Sequence, residues 1–302
     1  MVSRKALFDE CMDILEQSGI DTARFDTMCI FQDMLSDQNP LFLPQEEVPE
    51  ETEKRIRELT ALRSQNRPLQ YLLGQWEFYG YPMKVGEGVL IPRPDTETLV
   101  DQVLDICREN GLSSPKIADL CSGSGCIAIA LKKQLPQAEV TAVEVSEAAL
   151  DYLRENARLN EADIDIIAGD VLKKETQQKL SGMDLIVSNP PYLTAEEMRS
   201  LQTEVTYEPA SALFGGEDGL GFYRAIIELW RRSLKKGGYM VFEFGDKQHE
   251  AVSSIFKRYS FDNIRLRKDG GGIIRTAAAV KTGDDFIRYS DSSEQSRKNT
   301  EE

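Results

Sequence analysis

Lys116–Leu135 reads KIADLCSGSGCIAIALKKQL, and its hydrophobic period changes part-way along. KIADL has the short apolar run of a buried strand, and CIAIALKKQL the longer run of a helix. Between them, Cys121–Gly125 is small, polar and glycine-containing, which suits a tight strand-to-helix turn. The alternation continues downstream. AEVTAVEVS, DIDIIAGD, MDLIVSNPPY and GGYMVFEFG read as strands; EAALDYLRENARLN, GLGFYRAIIELWRRSL and QHEAVSSIFKRYS read as helices. Such alternation predicts a mostly parallel sheet with helices on both faces. NIRLRKD and GIIRTAAAVK, joined through Gly270, Gly271 and Gly272, close it as an antiparallel edge hairpin. The expected fold class is α/β, a Rossmann-like domain with a mostly parallel seven-stranded sheet.

Upstream the pattern is helical, and residues 1–75 are expected to form a small domain of their own. KALFDECMDILEQSG puts Leu7, Cys11, Ile14 and Leu15 on one face, and Gly19 ends it. ARFDTMCIFQDML repeats the pattern. PEETEKRIRELTALRSQ opens with proline and acids, as a helix N-terminus does, but is sparse in apolar residues and is expected on the surface. LQYLLG adds a short turn. In EFYGYPMKVGEGVLIPRP, aromatics, valine and glycine alternate as in a hairpin, so residues 76–92 read as a β-hairpin linker. Residues 93–281 then form the α/β domain, entered by the helix DTETLVDQVLDICREN with Asp95 as N-cap. Residues 282–302 are polar and are expected to be a disordered tail.

Composition narrows the function. The chain has 302 residues, 41% of them hydrophobic, enough for a real core. Its 51 acids against 36 bases give a net charge of −15, which repels phosphate backbones and disfavours a large nucleic-acid footprint. Five cysteines, none in CxxC spacing, argue against a disulfide framework or zinc site and for a reducing, cytoplasmic setting. No apolar run is long enough to span a bilayer, and the acids in the N-terminal segment argue against a signal peptide. The one histidine, His249, leaves little room for histidine-based catalysis or metal ligation.

In a doubly wound sheet, ligands bind at the carboxyl edge, where the Cys121–Gly125 turn lies. Gly123-Ser124-Gly125-Cys126-Ile127-Ala128 also fits the dinucleotide pattern GxGxxA, a weak signal by itself. The second strand ends in Glu144, placed to accept from both hydroxyls of a ribose; after the glycine turn, that reading leads over an exposed strand-end charge. Asp170 ends the third strand, either to accept from an adenine amine or to cap a helix. Asp119 ends the first strand, where a carboxylate can bond loop amides or a ligand's amino group. Three acids around one pocket disfavour a diphosphate and favour a cofactor with an amino group and a positive centre: S-adenosyl-L-methionine rather than NAD.

DLIVSNPPYL, Asp184–Leu193, ends next to that pocket. Asn189 offers an acceptor and two donors; Pro190 and Pro191 have no N–H and present only carbonyls. A residue before proline is held extended, which fixes where Asn189 and the Pro190 carbonyl point. Tyr192 adds a flat stacking wall. The result is a clamp of acceptors for a planar NH2 group. An amide nitrogen is a poor nucleophile because its lone pair is delocalised, with a rotation barrier of roughly 18–20 kcal/mol. Holding both N–H groups in line with a methyl sulfonium favours charge building on that nitrogen. The methylated nitrogen then becomes acidic enough to release a proton to water, so no histidine base is required.

With RPLQYLLG, EFYG, VLIPRPDTETLV, DLCSGSGCIAIAL, VSNPPYL, YEPASALFGGEDGL and EFG, the sequence to about residue 280 resembles the HemK/PrmC family of protein-(glutamine-N5) methyltransferases acting on peptide chain release factors. The resemblance implies that Cys121, Ser122, Gly123, Ser124, Gly125, Glu144, Asp170, Val171 and Asn189 line S-adenosyl-L-methionine. It also implies that Asn189, Pro190, Pro191 and Tyr192 hold the glutamine of a Gly-Gly-Gln loop, and that the N-terminal helices recruit the protein substrate. Cys121 stands where the family often has glycine, and Glu144 where it more often has Asp. The expected partners are release factors, with no direct nucleic acid, no membrane and a monomeric state. The alternative from the same clamp is an adenine-N6 nucleic-acid methyltransferase; a non-catalytic cofactor-binding scaffold and a dinucleotide oxidoreductase are further readings. Three segments keep two readings each. PRPDTETLV either lines the pocket with Arg93, Thr96 and Glu97 or serves as linker and cap. YEPASALFGGEDGLGFY is a loop over the site or a plain connection. Trp76, Phe78 and Tyr79 face a partner or pack between domains.

Overall fold

The computed structural model describes residues 2–36, 39 and 41–283, and the expected tail lies outside them from residue 284 on. The helical part comprises α1 (Arg4–Gln17), α2 (Ala23–Leu35), α3 (Glu50–Arg63) and α4 (Leu69–Leu73). Leu7, Phe8, Cys11, Ile30, Phe31, Ile56 and Leu59 interlock as its core, with Phe8 and Phe31 edge-to-face at 5.3 Å. Two expectations fail here. Ile14 is exposed, and Phe8 takes its place on the buried stripe of α1. The α3 helix is not merely superficial: Ile56, Leu59, Thr60 and Arg63 are buried against α1 and α2. Ile56, Leu59 and Thr60 make a narrow inner face, and Arg63 joins it because Asp26 of α2 neutralises it there.

The hairpin β1 (Gln75–Phe78) and β2 (Tyr81–Lys84) follows, antiparallel as expected. It is packed rather than free. Phe78 and Met83 enter the main core, while Trp76 touches both that core and the helical one. The packing reading of these aromatics therefore holds. A 3-10 turn, Pro94–Thr96, leads into α5 (Glu97–Glu109), so Asp95 is not the N-cap of that helix. Its carboxylate instead pairs with Arg275 at 3.3 Å.

The remaining elements are β3 (Lys116–Leu120), α6 (Cys126–Gln134), β4 (Glu139–Glu144), α7 (Glu147–Leu159), β5 (Asp165–Ala168), α8 (Lys174–Gln177), β6 (Met183–Ser188), α9 (Ala210–Leu213), α10 (Gly221–Trp230), β7 (Leu234–Glu243), α11 (His249–Arg258), β8 (Phe261–Lys268) and β9 (Ile274–Lys281). Among the described residues, seven strands form one sheet in the order β5-β4-β3-β6-β7-β9-β8. All neighbours are parallel except β9, which runs antiparallel to β7 and β8. The α/β expectation is met. The central strands are buried on both faces: Ile117 packs into one core cluster, Ala118 and Leu120 into the other.

The turn after β3 depends on left-handed backbone. Gly125 has φ 83°, and a methyl group there would sit 2.2 Å from Leu153 Cδ1, a buried side chain of α7. Only glycine lets α6 start this close to α7. We expect Gly125→Ala to lose about 1–3 kcal/mol of unfolding free energy, read by urea denaturation. An unchanged midpoint would refute this account of the turn.

Candidate active site

The chain order reverses beside β3: β4 and β5 lie on one side, β6 and β7 on the other. A crevice opens at such a switch point, outside the carboxyl ends of the strands. A cavity of about 300 Å3 occupies it, lined by Cys121–Ser124, Glu144, Asp170, Val171, Asn189 and Pro191 among others. That is the size range of small-molecule sites.

Each wall has its own support. Ser122 fixes the glycine turn to β4: its N–H donates to the Val143 carbonyl at 3.1 Å and its Oγ accepts from the Val143 N–H at 3.0 Å. Cys121 has φ 59°, a left-handed conformation that glycine adopts freely and other residues rarely do. Burial pushes its thiol well above the usual range, so it stays protonated. Glu144 organises the wall opposite. Its Oε2 accepts from the Gly123 N–H and its Oε1 from the N–H groups of Val145 and Ser146, each at 2.8 Å. A carboxylate has about four acceptor sites, so one remains for a ligand hydroxyl. Asp170 accepts from the Leu172 N–H at 2.8 Å, and the neighbouring Val171 carbonyl accepts from Trp230 Nε1 at 2.7 Å.

Asp119 departs from expectation. It does not line the cavity; its side chain is wholly buried beneath the turn, and neither carboxylate oxygen has a well-formed hydrogen bond among the described residues. Burial, partly offset by the Ser122 hydroxyl and the Ala128 N–H, pushes its carboxyl up to about 8. The group is therefore mostly neutral at pH 7, and two acids rather than three face the cavity. Gly125 likewise carries the turn without facing the cavity. The charge argument for the cofactor rests on Glu144 and Asp170 alone.

The proline loop closes the other side. Ser188 Oγ donates to the Leu120 carbonyl at 2.6 Å, so the residue before Asn189 is pinned to the residue before Cys121. Asn189 lines both the first cavity and an adjoining one of about 370 Å3, which Tyr192, Leu193, Val205 and Leu213 also line. Its Nδ2 donates to Thr96 Oγ1 at 3.2 Å, which turns Oδ1 away from that hydroxyl. Pro190 is buried and lines neither cavity; no donor among the described residues takes up its carbonyl. Tyr192 faces the second cavity, and burial raises its phenol to about 12.

The motifs with two readings now resolve. Arg93 and Thr96 line the first cavity, whereas Glu97 instead accepts from the Tyr79 N–H at 2.8 Å. The YEPASALFGGEDGL segment is a wall of the site. Pro209, Ser211 and Ala212 line the cavity, and Glu208 accepts from the Ile91 N–H at 3.0 Å while pairing with Arg93. Leu193 N–H donates to the Leu213 carbonyl at 2.8 Å, and the Leu193 carbonyl accepts from Gly215 N–H at 2.9 Å. At Gly219, with φ 69°, a methyl group would lie 2.3 Å from the Tyr192 carbonyl oxygen, so the glycines here let one loop lie against the other. Sequence reasoning missed Val145 and Leu172 in the cavity wall. Both are exposed apolar residues one or two positions after a strand-end acid, and that is the signal that marks them.

The chain matches the family model described as Methyltransferase small domain over residues 96–217, and the PrmC N-terminal domain over residues 6–74. It is 41% identical over 280 residues to the release factor glutamine methyltransferase of Fusobacterium nucleatum subsp. nucleatum, covering 91% of this chain and 78% of that one. The chain belongs to the release factor glutamine methyltransferase family. The Geobacter sulfurreducens member is 38% identical over 276 residues, covering 90% of this chain and 94% of its own. Solved structures agree on the fold. A methyltransferase from Pyrococcus furiosus superposes with TM-score 0.51 at 17% identity, covering 78% of this chain and all of its own (100%). The hMettl16 catalytic domain in complex with MAT2A 3'UTR hairpin 6 gives 0.52 at 16%, covering 79% and 84%. Like its family, this chain is a methyltransferase.

Asp119 yields a prediction with a definite sign. Its folded carboxyl titrates near 8 and an unfolded one near 4, so between those values the folded state binds more protons. Its contribution to stability therefore falls as pH rises across that window. Asp119→Asn should remove this slope, and its stability relative to the unsubstituted protein should rise between pH 5 and pH 8 in chemical denaturation. A difference that stays flat or shrinks would contradict the burial argument.

Proposed function

We propose that the chain transfers a methyl group from S-adenosyl-L-methionine to the side-chain amide nitrogen, N5, of the glutamine in the Gly-Gly-Gln motif of peptide chain release factors. The observation that carries this reading is Asn189. With its Nδ2 taken up by Thr96, its acceptor Oδ1 is left for a substrate at the junction of the two cavities.

The residues fit the cofactor. Around Gly123 no atom lies within 4 Å of where a side chain would begin, so a ligand has room against the backbone. Glu144 keeps one acceptor site for ribose, and Asp170 one oxygen for an adenine amine. Val145, Val171 and Leu172 supply apolar surface. When bound, the cofactor supplies an electrophilic methyl on a positive sulfur. The protein's part is orientation. Asn189 Oδ1 accepts one N–H of the glutamine amide; the Pro190 carbonyl, which no donor among the described residues takes up although Pro190 lines neither cavity, accepts the other, and charge developing on that nitrogen is stabilised by the same oxygens. The second cavity, with Tyr192 on its wall, takes the loop that carries the glutamine. The proton leaves to water. The neutral Asp119 and the high thiol of Cys121 serve as no base, and none is needed.

In this reading the N-terminal helices recognise the release factor, the enzyme acts in the cytoplasm as a monomer, and it makes no direct nucleic-acid contact. Mass spectrometry of release factors from cells lacking the chain should show one glutamine without its methyl group. With purified protein and labelled cofactor, Asn189→Ala should lose transfer by roughly 100-fold or more while cofactor affinity stays measurable. Near-normal turnover of that variant, or label appearing on DNA or RNA adenine instead, would defeat the proposal.

A further inference from the structure

Asn189 must present its oxygen to the substrate amide. The two ends of an asparagine amide are nearly the same size, so packing alone cannot choose between them; hydrogen bonding must. Thr96 Oγ1 receives Nδ2, but a hydroxyl both donates and accepts and would serve either end equally. Something must fix the direction of the Thr96 hydroxyl.

Glu243 ends β7, between β6 and β9, on the sheet face that α5 covers. It is 2% exposed, Thr96 is equally buried at 2%, and Glu243 Oε2 has no hydrogen-bond partner among the described residues. The pairing of β6 with β7 brings Glu243 beside Asn189, and the Thr96 hydroxyl and the Asn189 amide both lie close enough to favour its ionised form. We propose that Glu243, acting on the Asn189 amide both directly and through Thr96, is a positioning residue that keeps the Asn189 oxygen facing the substrate. An ionised carboxylate only accepts. It draws the Thr96 hydrogen toward itself and leaves the Thr96 oxygen to accept from Asn189 Nδ2. A protonated Glu243 donates instead. Thr96 is then free to donate to Asn189 Oδ1, and the amide loses its preferred orientation. This inference rests on the function proposed above and adds the group that sets its geometry.

The surroundings set where the switch occurs. Burial pushes the Glu243 carboxyl up to about 7, opposed by the Thr96 hydroxyl and by Arg275 of β9. Arg275 is itself shared with Asp269 at 2.9 Å and Asp95 at 3.3 Å, and Asp95 acts on Glu243 in the same sense as burial. Tyr192 beyond the proline loop, Cys126 of α6 and Tyr223 of α10 also feel its charge. The thiol and both phenols are raised and stay neutral near pH 7. Tyr223 donates to the Glu243 backbone carbonyl rather than to its carboxylate.

The test reads Asn189 directly. In the full-length protein labelled with 15N-asparagine, its side-chain NH2 signals, assigned by their loss in Asn189→Ala, should shift with pH with a midpoint near 7. That titration should vanish in Glu243→Gln, shrink in Thr96→Val and return in full in Thr96→Ser. With a release factor as methyl acceptor, Glu243→Gln and Thr96→Val should each lower kcat roughly 10- to 100-fold. The double variant should fall no further, since both act on one amide. In Glu243→Gln, whose side chain lines neither cavity, KM for S-adenosyl-L-methionine should stay within about twofold, and the acid limb of the kcat profile should disappear. An Asn189 signal indifferent to pH and to both substitutions overturns the inference, as do additive losses or an equal loss of cofactor affinity. The NMR result needs no methyl acceptor. Absence of transfer by the unsubstituted enzyme would instead count against the release-factor reading.

Discussion

Parallel strands place all their carboxyl ends on one edge, and the reversal of order beside β3 opens that edge. The strand-end residues of the site follow from this. The turn after β3, Glu144 at the end of β4, Asp170 after β5, Asn189 after β6 and Glu243 at the end of β7 are far apart in the chain yet share one rim. A parallel sheet must be covered on both faces, so the rim is also where backbone emerges from the core and can approach a ligand.

Rigidity at this rim comes from short polar ties between neighbouring loops. Ser188 joins the β6 end to β3, Ser122 joins the glycine turn to β4, and Glu144 gathers three backbone N–H groups. Asn156 of α7 extends the network to the hairpin. Its Oδ1 accepts from the Lys84 N–H at 2.6 Å, and its Nδ2 donates to the carbonyls of Lys84 and Ser124, both at 3.0 Å. Buried and fully paired, such a residue specifies one arrangement of loops that apolar packing would leave loose. The chemistry asks for little beyond position, so positional ties stand where other enzymes carry acid–base groups.

The helical part is bound to the site rather than hung beside it. Arg63 of α3 is buried and reaches two acids, Asp26 of α2 at 2.6 Å and Glu204 at 2.5 Å. Glu204 lies in the 3-10 turn Thr203–Tyr207, just before Glu208, which holds Ile91 and Arg93 in the cavity wall. Arg67 stacks over Tyr207 at 5.8 Å, and Tyr71 donates to the Val89 carbonyl at 2.5 Å. Arg63 keeps Asp26 as its buried partner within the helices, and the half-exposed Glu204 ties it across to the cavity wall. The RPLQYLLG, PRPDTE and YEP motifs, distant in sequence, are thus parts of one joint.

The sequence by itself determined the alternation of strands and helices, the glycine turn and the proline-held amide. Each is written in local signals: a period of apolar residues, a backbone only glycine tolerates, a ring that removes a donor. It also carried the burial stripes imperfectly, placing Ile14 inside where Phe8 lies. Tertiary structure alone decided strand order, the neutrality of Asp119, the pairing of Asp95 with Arg275 and the meeting of Thr96, Asn189 and Glu243. Those outcomes depend on burial and on contacts between residues distant in the chain, as Thr96 meets Asn189 and Asp95 meets Arg275. Neither depth from solvent nor a distant partner leaves a periodic trace in the residues concerned.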